Sequence, residues 1–187
     1  VIALRRPFAF LAVAAAVAVA SPVAAQNRFY DEVKVGLLAH DVRFLGGKES
    51  GADINAEVLF VSPDVFRWIL RPRPHVGFLL NSAGDTNQVY LGLTWTWKLA
   101  TDLLRPEDNL FFGFSFGASV NDGEKSTRRT DKKALGSALL FREGFEVGYQ
   151  FSPIHSLSVY FDHISNGGLA KENQSINNLG GRVGFKF

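Results

Sequence analysis

From about residue 30 onward, apolar and polar residues alternate with a period of two, the pattern of strands that bury one side only. Over 88–98 one parity holds Val89, Leu91, Leu93, Trp95 and Trp97, and the other holds Gln88, Tyr90, Gly92, Thr94, Thr96 and Lys98. Over 109–121, Leu110, Phe112, Phe114, Phe116, Ala118 and Val120 oppose Phe111, Gly113, Ser115 and Gly117. In the last stretch, Leu179, Gly181, Val183, Phe185 and Phe187 alternate with Gly180, Arg182, Gly184 and Lys186. The pattern predicts strands at 31–44, 54–61, 74–82, 88–98, 109–121, 138–151, 155–165 and 179–187. That is about eight strands, the smallest common size for a single-chain outer-membrane barrel.

The connections fall into two sets. Those at 45–53, 83–87, 122–137 and 166–178 are rich in Gly, Asp, Asn, Lys or Ser, as expected of cell-surface loops if the N-terminus is periplasmic. Ser152-Pro153-Ile154 fits a tight turn at the opposite end. The segment 62–73 places Val65, Trp68 and Ile69 between Arg67, Arg71 and Arg73, which suits a short interfacial helix or an irregular turn equally well.

Periodicity alone does not say which face is outside, because a soluble barrel of the lipocalin kind also alternates, with its apolar face inward. Three features favour an apolar outer wall. The apolar parity carries the large aromatic side chains, the opposite parity carries small Gly and Ser, and the final strand ends on Phe187. A terminal aromatic on an alternating strand resembles the signal by which outer-membrane barrels are recognised for assembly. The predicted fold class is therefore all-β, a small antiparallel transmembrane β-barrel. Its inward parity would hold Lys34, His40, Glu57, His75, Gln88, Arg142, Glu146, Gln150, Asp162, Arg182 and Lys186. In a barrel this narrow, side chains fill the lumen, so these charges predict a plug and not a path for solute.

The first residues add a compartment. Arg5 and Arg6 precede an apolar run from Phe8 to Ala20, and Val23-Ala24-Ala25 supplies the small residues of a cleavage site. Residues 1–25 are predicted to be a signal peptide and 26–187 the barrel domain, with the outer membrane as destination. Without the two arginines of that leader, 18 basic residues balance 18 acidic ones. A neutral chain excludes nucleic acid as an expected partner. Cysteine is absent, which removes disulfides and thiolate chemistry. His40 with Asp41, and His75, lack the spacing of a closed metal site. A homodimer is left open by the sequence.

One strand carries candidate chemistry. On 155–165, Leu157, Val159, Phe161, His163 and Ser165 share the outward parity, and Ser156, Ser158, Tyr160 and Asp162 the inward one. An imidazole and a hydroxyl on an otherwise apolar wall are costly to desolvate. Their i, i+2 spacing makes them neighbours on the pleat, where His163 can take the proton of Ser165 Oγ as it attacks an ester. Asn166, Gly167 and Gly168 follow at once and offer an amide and flexible backbone N–H groups for an oxyanion. The plain alternative is an interfacial histidine hydrogen-bonded to water or lipid head groups.

His163-Ile164-Ser165-Asn166-Gly167-Gly168-Leu169, followed by Asn173 and a last alternating strand, resembles the lipid A 3-O-deacylase (PagL) family. Gly36-Leu37-Leu38-Ala39-His40-Asp41, Gly84-Asp85-Thr86 and Phe141-Arg142-Glu143 extend the resemblance over most of the chain. The resemblance implies an outer-membrane hydrolase of the 3-O-linked acyl chain of lipid A, with lipopolysaccharide as substrate and no cofactor. It assigns Ser165 as nucleophile, His163 as general base, Asn166 and the Gly168 backbone as oxyanion donors, and Asn173 as a supporting polar residue. The family's triad acid is a Glu, and the corresponding position here is Asn177.

Strand register suggests a substitute. A hairpin that turns through Ser152-Pro153-Ile154 and pairs Phe151 with His155 puts Glu143 directly opposite His163, on the apolar parity with Phe141, Phe145 and Val147. Glu143 is expected to orient the imidazole or to share that role with Asn177, unless it turns to solvent or the register slips. The expected function is a lipid-facing serine esterase. The alternatives are a deacylase-like barrel with a structural or lipid-binding role, and a narrow channel in which His163 and Ser165 are incidental.

Overall fold

A computed structural model describes residues 29–187. The predicted signal peptide lies outside the described residues. The alternating segments form eight strands: β1 (Tyr30–Ala39), β2 (Ala52–Phe60), β3 (Arg73–Asn81), β4 (Gln88–Thr101), β5 (Asn109–Asn121), β6 (Leu139–Gln150), β7 (His155–Ser165) and β8 (Ile176–Lys186). Each pairs antiparallel with its sequence neighbours, and β8 returns to β1, so the sheet closes into a barrel. Closure leaves no unpaired edge, which is what allows strands to sit in hydrocarbon.

The polarity is inside out. Leu37, Leu91 and Val159 on the outer wall are 65%, 63% and 60% exposed, whereas Lys34, Glu57, Arg142, Glu146, Asp162 and Arg182 are buried in the lumen. That arrangement is stable only with lipid around the wall, so the barrel is of the transmembrane kind and the soluble lipocalin-type alternative is excluded.

The lumen is filled as its parity predicted. Arg142 pairs with Asp162 at 2.6 Å and lies 3.4 Å over the Tyr90 ring. Arg182 bridges Glu57 and Glu146 and lies 3.7 Å over Tyr160. Glycines opposite these rings make the room. A Cβ at Gly77 would come within 2.5 Å of the Tyr90 phenol, and one at Gly144 would collide with the Tyr160 hydroxyl. Ring, guanidinium and carboxylate layers thus occupy the width of the barrel.

Two ends differ. The end that carries the β1–β2, β3–β4, β5–β6 and β7–β8 connections is loop-rich. At this end Leu135, Leu140, Ile164 and Ile176 form a small buried cluster. β1 ends at Ala39, short of the predicted 44, because Asp41 adopts φ 41° and its carboxylate accepts the backbone N–H groups of Lys48 and Glu49. The chain then makes a 3-10 turn at Arg43–Leu45. At the opposite, turn-rich end, Asp64–Ile69 forms the short helix that 62–73 allowed, with Trp68 exposed and Ile69 O accepting the indole N–H of Trp95 at 2.8 Å.

Candidate active site on the outer wall

β6, β7 and β8 lie side by side, and their register sets what faces what. Glu143 pairs with His163, Phe141 with Ser165, and His163 with Asn177. All of these belong to the outward parity, at the loop-rich end. His163 Nδ1 and Asn177 Oδ1 are 2.6 Å apart. With an amide oxygen as acceptor, Nδ1 carries the hydrogen and Nε2 keeps its lone pair, the tautomer a general base needs. Asn177 is itself held, because it is buried and its carbonyl accepts the Val42 N–H at 2.7 Å.

The predicted opposition of Glu143 and His163 is present in the register, but the half-buried carboxylate makes no hydrogen bond or ion pair with the ring. Among the described residues the imidazole is engaged by Asn177 alone. Ser165, half-buried at the end of β7, is beside His163 by parity, and its hydroxyl is hydrogen-bonded to no described residue. Such contacts often close only when substrate is bound.

The turn after Ser165 is rigidly built. Asn166 is buried, and its Nδ2 donates to Leu135 O at 2.8 Å and Glu172 O at 2.6 Å. Its Oδ1 accepts the Gly168 N–H at 2.9 Å, and its own N–H goes to Asn173 Oδ1 at 3.0 Å. Asn166, Gly168 and Asn173 are therefore brought together as expected, but the donors of Asn166 and Gly168 are spent on the turn itself. Gly167 and Gly168 have φ of 65° and 81°, which a side chain would strain. The Gly167 N–H donates to no acceptor among the described residues, and Gly167 sits against Phe141.

Around the pair the wall is aromatic. Phe116 stacks on Phe141 with centroids 6.3 Å apart, and Phe145 tilts against Phe161 at 6.4 Å. Leu169, 81% exposed, projects from the loop above. A hydroxyl and an imidazole thus border an apolar strip as wide as three strands.

Sequence reasoning missed what holds the site from behind. His40 lies between two buried carboxylates, with Nδ1 2.8 Å from Asp53 and Nε2 3.1 Å from Glu49. Glu49 also accepts the backbone N–H groups of Thr86 and Lys133. One histidine therefore ties three loops together, and Lys48 Nζ reaches on to Gln174 Oε1 in the fourth. The only hint was the inward parity of His40, and nothing in it named Glu49, which lies in a loop.

Burial opposes the charge on His40, but the hydrogen bonds to Asp53 and Glu49 outweigh it and raise its pKa from 6.5 to about 9. Burial likewise opposes the charge on Glu49, and the hydrogen bond from His40 leads the effects that lower its pKa from 4.5 to about 2. A raised histidine stabilises fully below its unfolded value and loses that contribution through its folded one. The lowered glutamate does so above 4.5 and loses it towards about 2. Loop protection is therefore expected to be greatest between about pH 4.5 and 6.5 and to decay through about pH 9. Hydrogen exchange of the 46–51 amides against pH checks this. An alkaline step unchanged in His40→Gln would rule it out.

A closed eight-stranded antiparallel barrel with an apolar outer wall and a charged lumen defines a class: the small transmembrane β-barrels, here with a histidine and a serine on the lipid-facing wall. The family model for lipid A 3-O-deacylase (PagL) matches residues 52–186, well over half of the chain. The chain belongs to that family. Among solved structures it is similar to the outer membrane enzyme PagL, at 18% identity and a TM-score of 0.64, with 83% of this chain and 99% of that one covered. It is also similar to Neisserial surface protein A (NspA), at 14% identity and a TM-score of 0.50, covering 85% and 97%. These two likenesses establish the fold. No curated protein matches the chain by sequence.

Proposed function

We propose that the protein is an outer-membrane serine esterase that removes the 3-O-linked acyl chain of lipid A. The observation that carries the reading is the 2.6 Å contact of His163 Nδ1 with Asn177 Oδ1 on the lipid-facing wall, one pleat from Ser165. A nucleophile aimed at lipid and not at a lumen meets only amphipathic substrates. With the loop-rich end at the cell surface, that lipid is the outer leaflet. The leader predicted at residues 1–25 would deliver the chain there.

In this mechanism His163 Nε2 accepts the Ser165 proton as Oγ attacks the ester carbonyl. The tetrahedral oxyanion forms against the 166–168 turn, where the Gly167 N–H is already free and the Gly168 N–H must leave Asn166 Oδ1 to join it. His163 then returns the proton to the departing 3-oxygen of the sugar. Water, deprotonated by the same imidazole, releases the fatty acid from Ser165. Asn177 keeps the ring in the reactive tautomer, and the charge of Glu143, one strand away, favours the imidazolium that forms. No cofactor enters.

A second reading, a deacylase-like barrel with a lipid-binding role, is favoured by one feature: an amide at Asn177 cannot neutralise an imidazolium. Mass spectrometry of lipid A from cells expressing the protein separates the two. Loss of one 3-hydroxyacyl chain supports the esterase. An unchanged profile with a folded barrel in the outer membrane defeats it.

A further inference from the structure

The turn-rich mouth of the lumen contains a cavity of about 100 Å³ that the chemistry at the other end does not use. Four cations line it, Lys34, Arg73, Lys98 and Lys186, against one carboxylate, Glu32. The partners of these cations are unequal. Lys34 Nζ lies 2.6 Å from Glu146, which also binds Arg182, and 3.8 Å from Glu32. Arg73 takes Asp31 at 2.6 Å and Glu32 at 2.7 Å. Among the described residues Lys186 hydrogen-bonds only to a neutral acceptor, Gln150 Oε1, at 2.5 Å. Lys98 is paired with nothing among the described residues.

Deeper in the lumen the charges balance: Arg142, Arg182 and Lys34 against Asp162, Glu57 and Glu146. At the mouth the balance fails. Arg73 takes both nearby carboxylates, Asp31 and Glu32, so the ammonium groups of Lys98 and Lys186 face the cavity with no carboxylate in contact among the described residues, although the alternation would have allowed Gly, Ser or Thr at either position, as it does elsewhere on the inward parity. Like charges gathered at the mouth of a low-dielectric lumen repel one another and focus the field on any anion that enters. The space, lined also by Gln150 and Thr96, has room for one small anion but not for a large ligand.

We propose that this vestibule is an anion site for a phosphate group, with Lys98 and Lys186 supplying the uncompensated charge. The phosphate arrives either free from the aqueous compartment or as the head group of an anionic phospholipid at the inner rim, the end of the barrel whose turns carry the exposed Trp68 and Leu104. Lysine suits either source, since an ammonium meets a phosphate as a point charge without a fixed fork.

The test uses the full mature barrel refolded in an uncharged detergent, with isothermal titration calorimetry. One arm titrates inorganic phosphate and the other micellar short-chain phosphatidylglycerol, with short-chain phosphatidylcholine as the neutral comparison. Saturable binding in the phosphate arm, weakened tenfold or more by Lys98→Gln and Lys186→Gln but not by Lys171→Gln at the opposite end, supports a free-phosphate site. Binding confined to phosphatidylglycerol with the same variant dependence supports the lipid source. No binding in either charged arm, or binding that both lysine variants leave intact, overturns the site. Lys98 is exposed, so Lys98→Gln folds even if Lys186→Gln does not. The site and the esterase reading stand or fall separately, because deacylation is read at the other end of the barrel.

Discussion

Ser165→Ala is expected to lower release of the 3-O-acyl chain by about 10⁴-fold or more while leaving the barrel intact. The side chain is a half-buried hydroxyl with no hydrogen-bond partner among the described residues, so its loss removes chemistry and almost no packing. His163→Ala should be equally damaging, and the double variant no worse than either, because groups that act as one unit lose their effect together. Asn177 separates the esterase from its inert alternative. If its Oδ1 holds the His163 tautomer, Asn177→Leu should cost about 10²-fold or more, in kcat and not in KM, since the contact matters most as the ring becomes charged. Asn177→Glu should raise the rate by adding the missing charge. Glu143→Gln gives the remaining comparison: a loss of about tenfold is expected if its charge acts across one strand spacing. The measurement is acyl release from purified lipopolysaccharide in detergent. Ser165→Ala at wild-type rate would end the serine mechanism, and Asn177→Leu at wild-type rate would end the positioning role.

Much of this was legible in the sequence because a barrel strand has a period of two and no freedom to shift it. Fixing one hairpin at Ser152-Pro153-Ile154 fixed Glu143 against His163, and the structure keeps that pairing. It keeps the lumen charges as well, since an ionic side chain on the inward parity has nowhere else to go. What was not legible is side-chain choice among neighbours. His163 has Glu143 on one strand and Asn177 on the next, and parity ranks them equally. The structure selects Asn177, whose backbone is anchored by Val42 from a loop far away in sequence. The loops escaped for the same reason. Asn166 reads as a free amide beside Ser165, and only the approach of Leu135 and Glu172 shows that its donors are taken. Strand β1 stops at Ala39 and not at 44: Val42 and Phe44 still alternate with polar neighbours, but on the parity of Lys34 and His40, and Asp41 turns the chain.

Arg142→Leu is expected to destabilise the barrel by about 3–5 kcal/mol. The guanidinium is fully buried. It pairs with Asp162 at 2.6 Å, donates to the Tyr160 hydroxyl at 2.6 Å and lies flat on Tyr90. Leucine fills part of the space but leaves Asp162 charged, with only the amides of Gln88 at 3.0 Å and Asn178 at 3.2 Å for company. The cost is that of an uncompensated carboxylate, so Arg142→Leu with Asp162→Asn should recover most of it. Urea unfolding of the refolded protein in phospholipid vesicles measures both. A single variant within about 1 kcal/mol of wild type would show that the pair is solvated or dispensable. The expected loss also reaches the outer wall. Asp162 precedes His163 on β7 and Asn178 follows Asn177 on β8, so the Asp162–Asn178 contact inside and the His163–Asn177 contact outside clasp the same two strands from opposite faces. Slackening the inner contact should therefore lower kcat before the barrel unfolds, and Asp162→Asn, which keeps a partner for Asn178, should lower it less than Arg142→Leu. The lumen is in this sense the back of the candidate site: its charges hold β7 and β8 in the register that presents an imidazole to lipid.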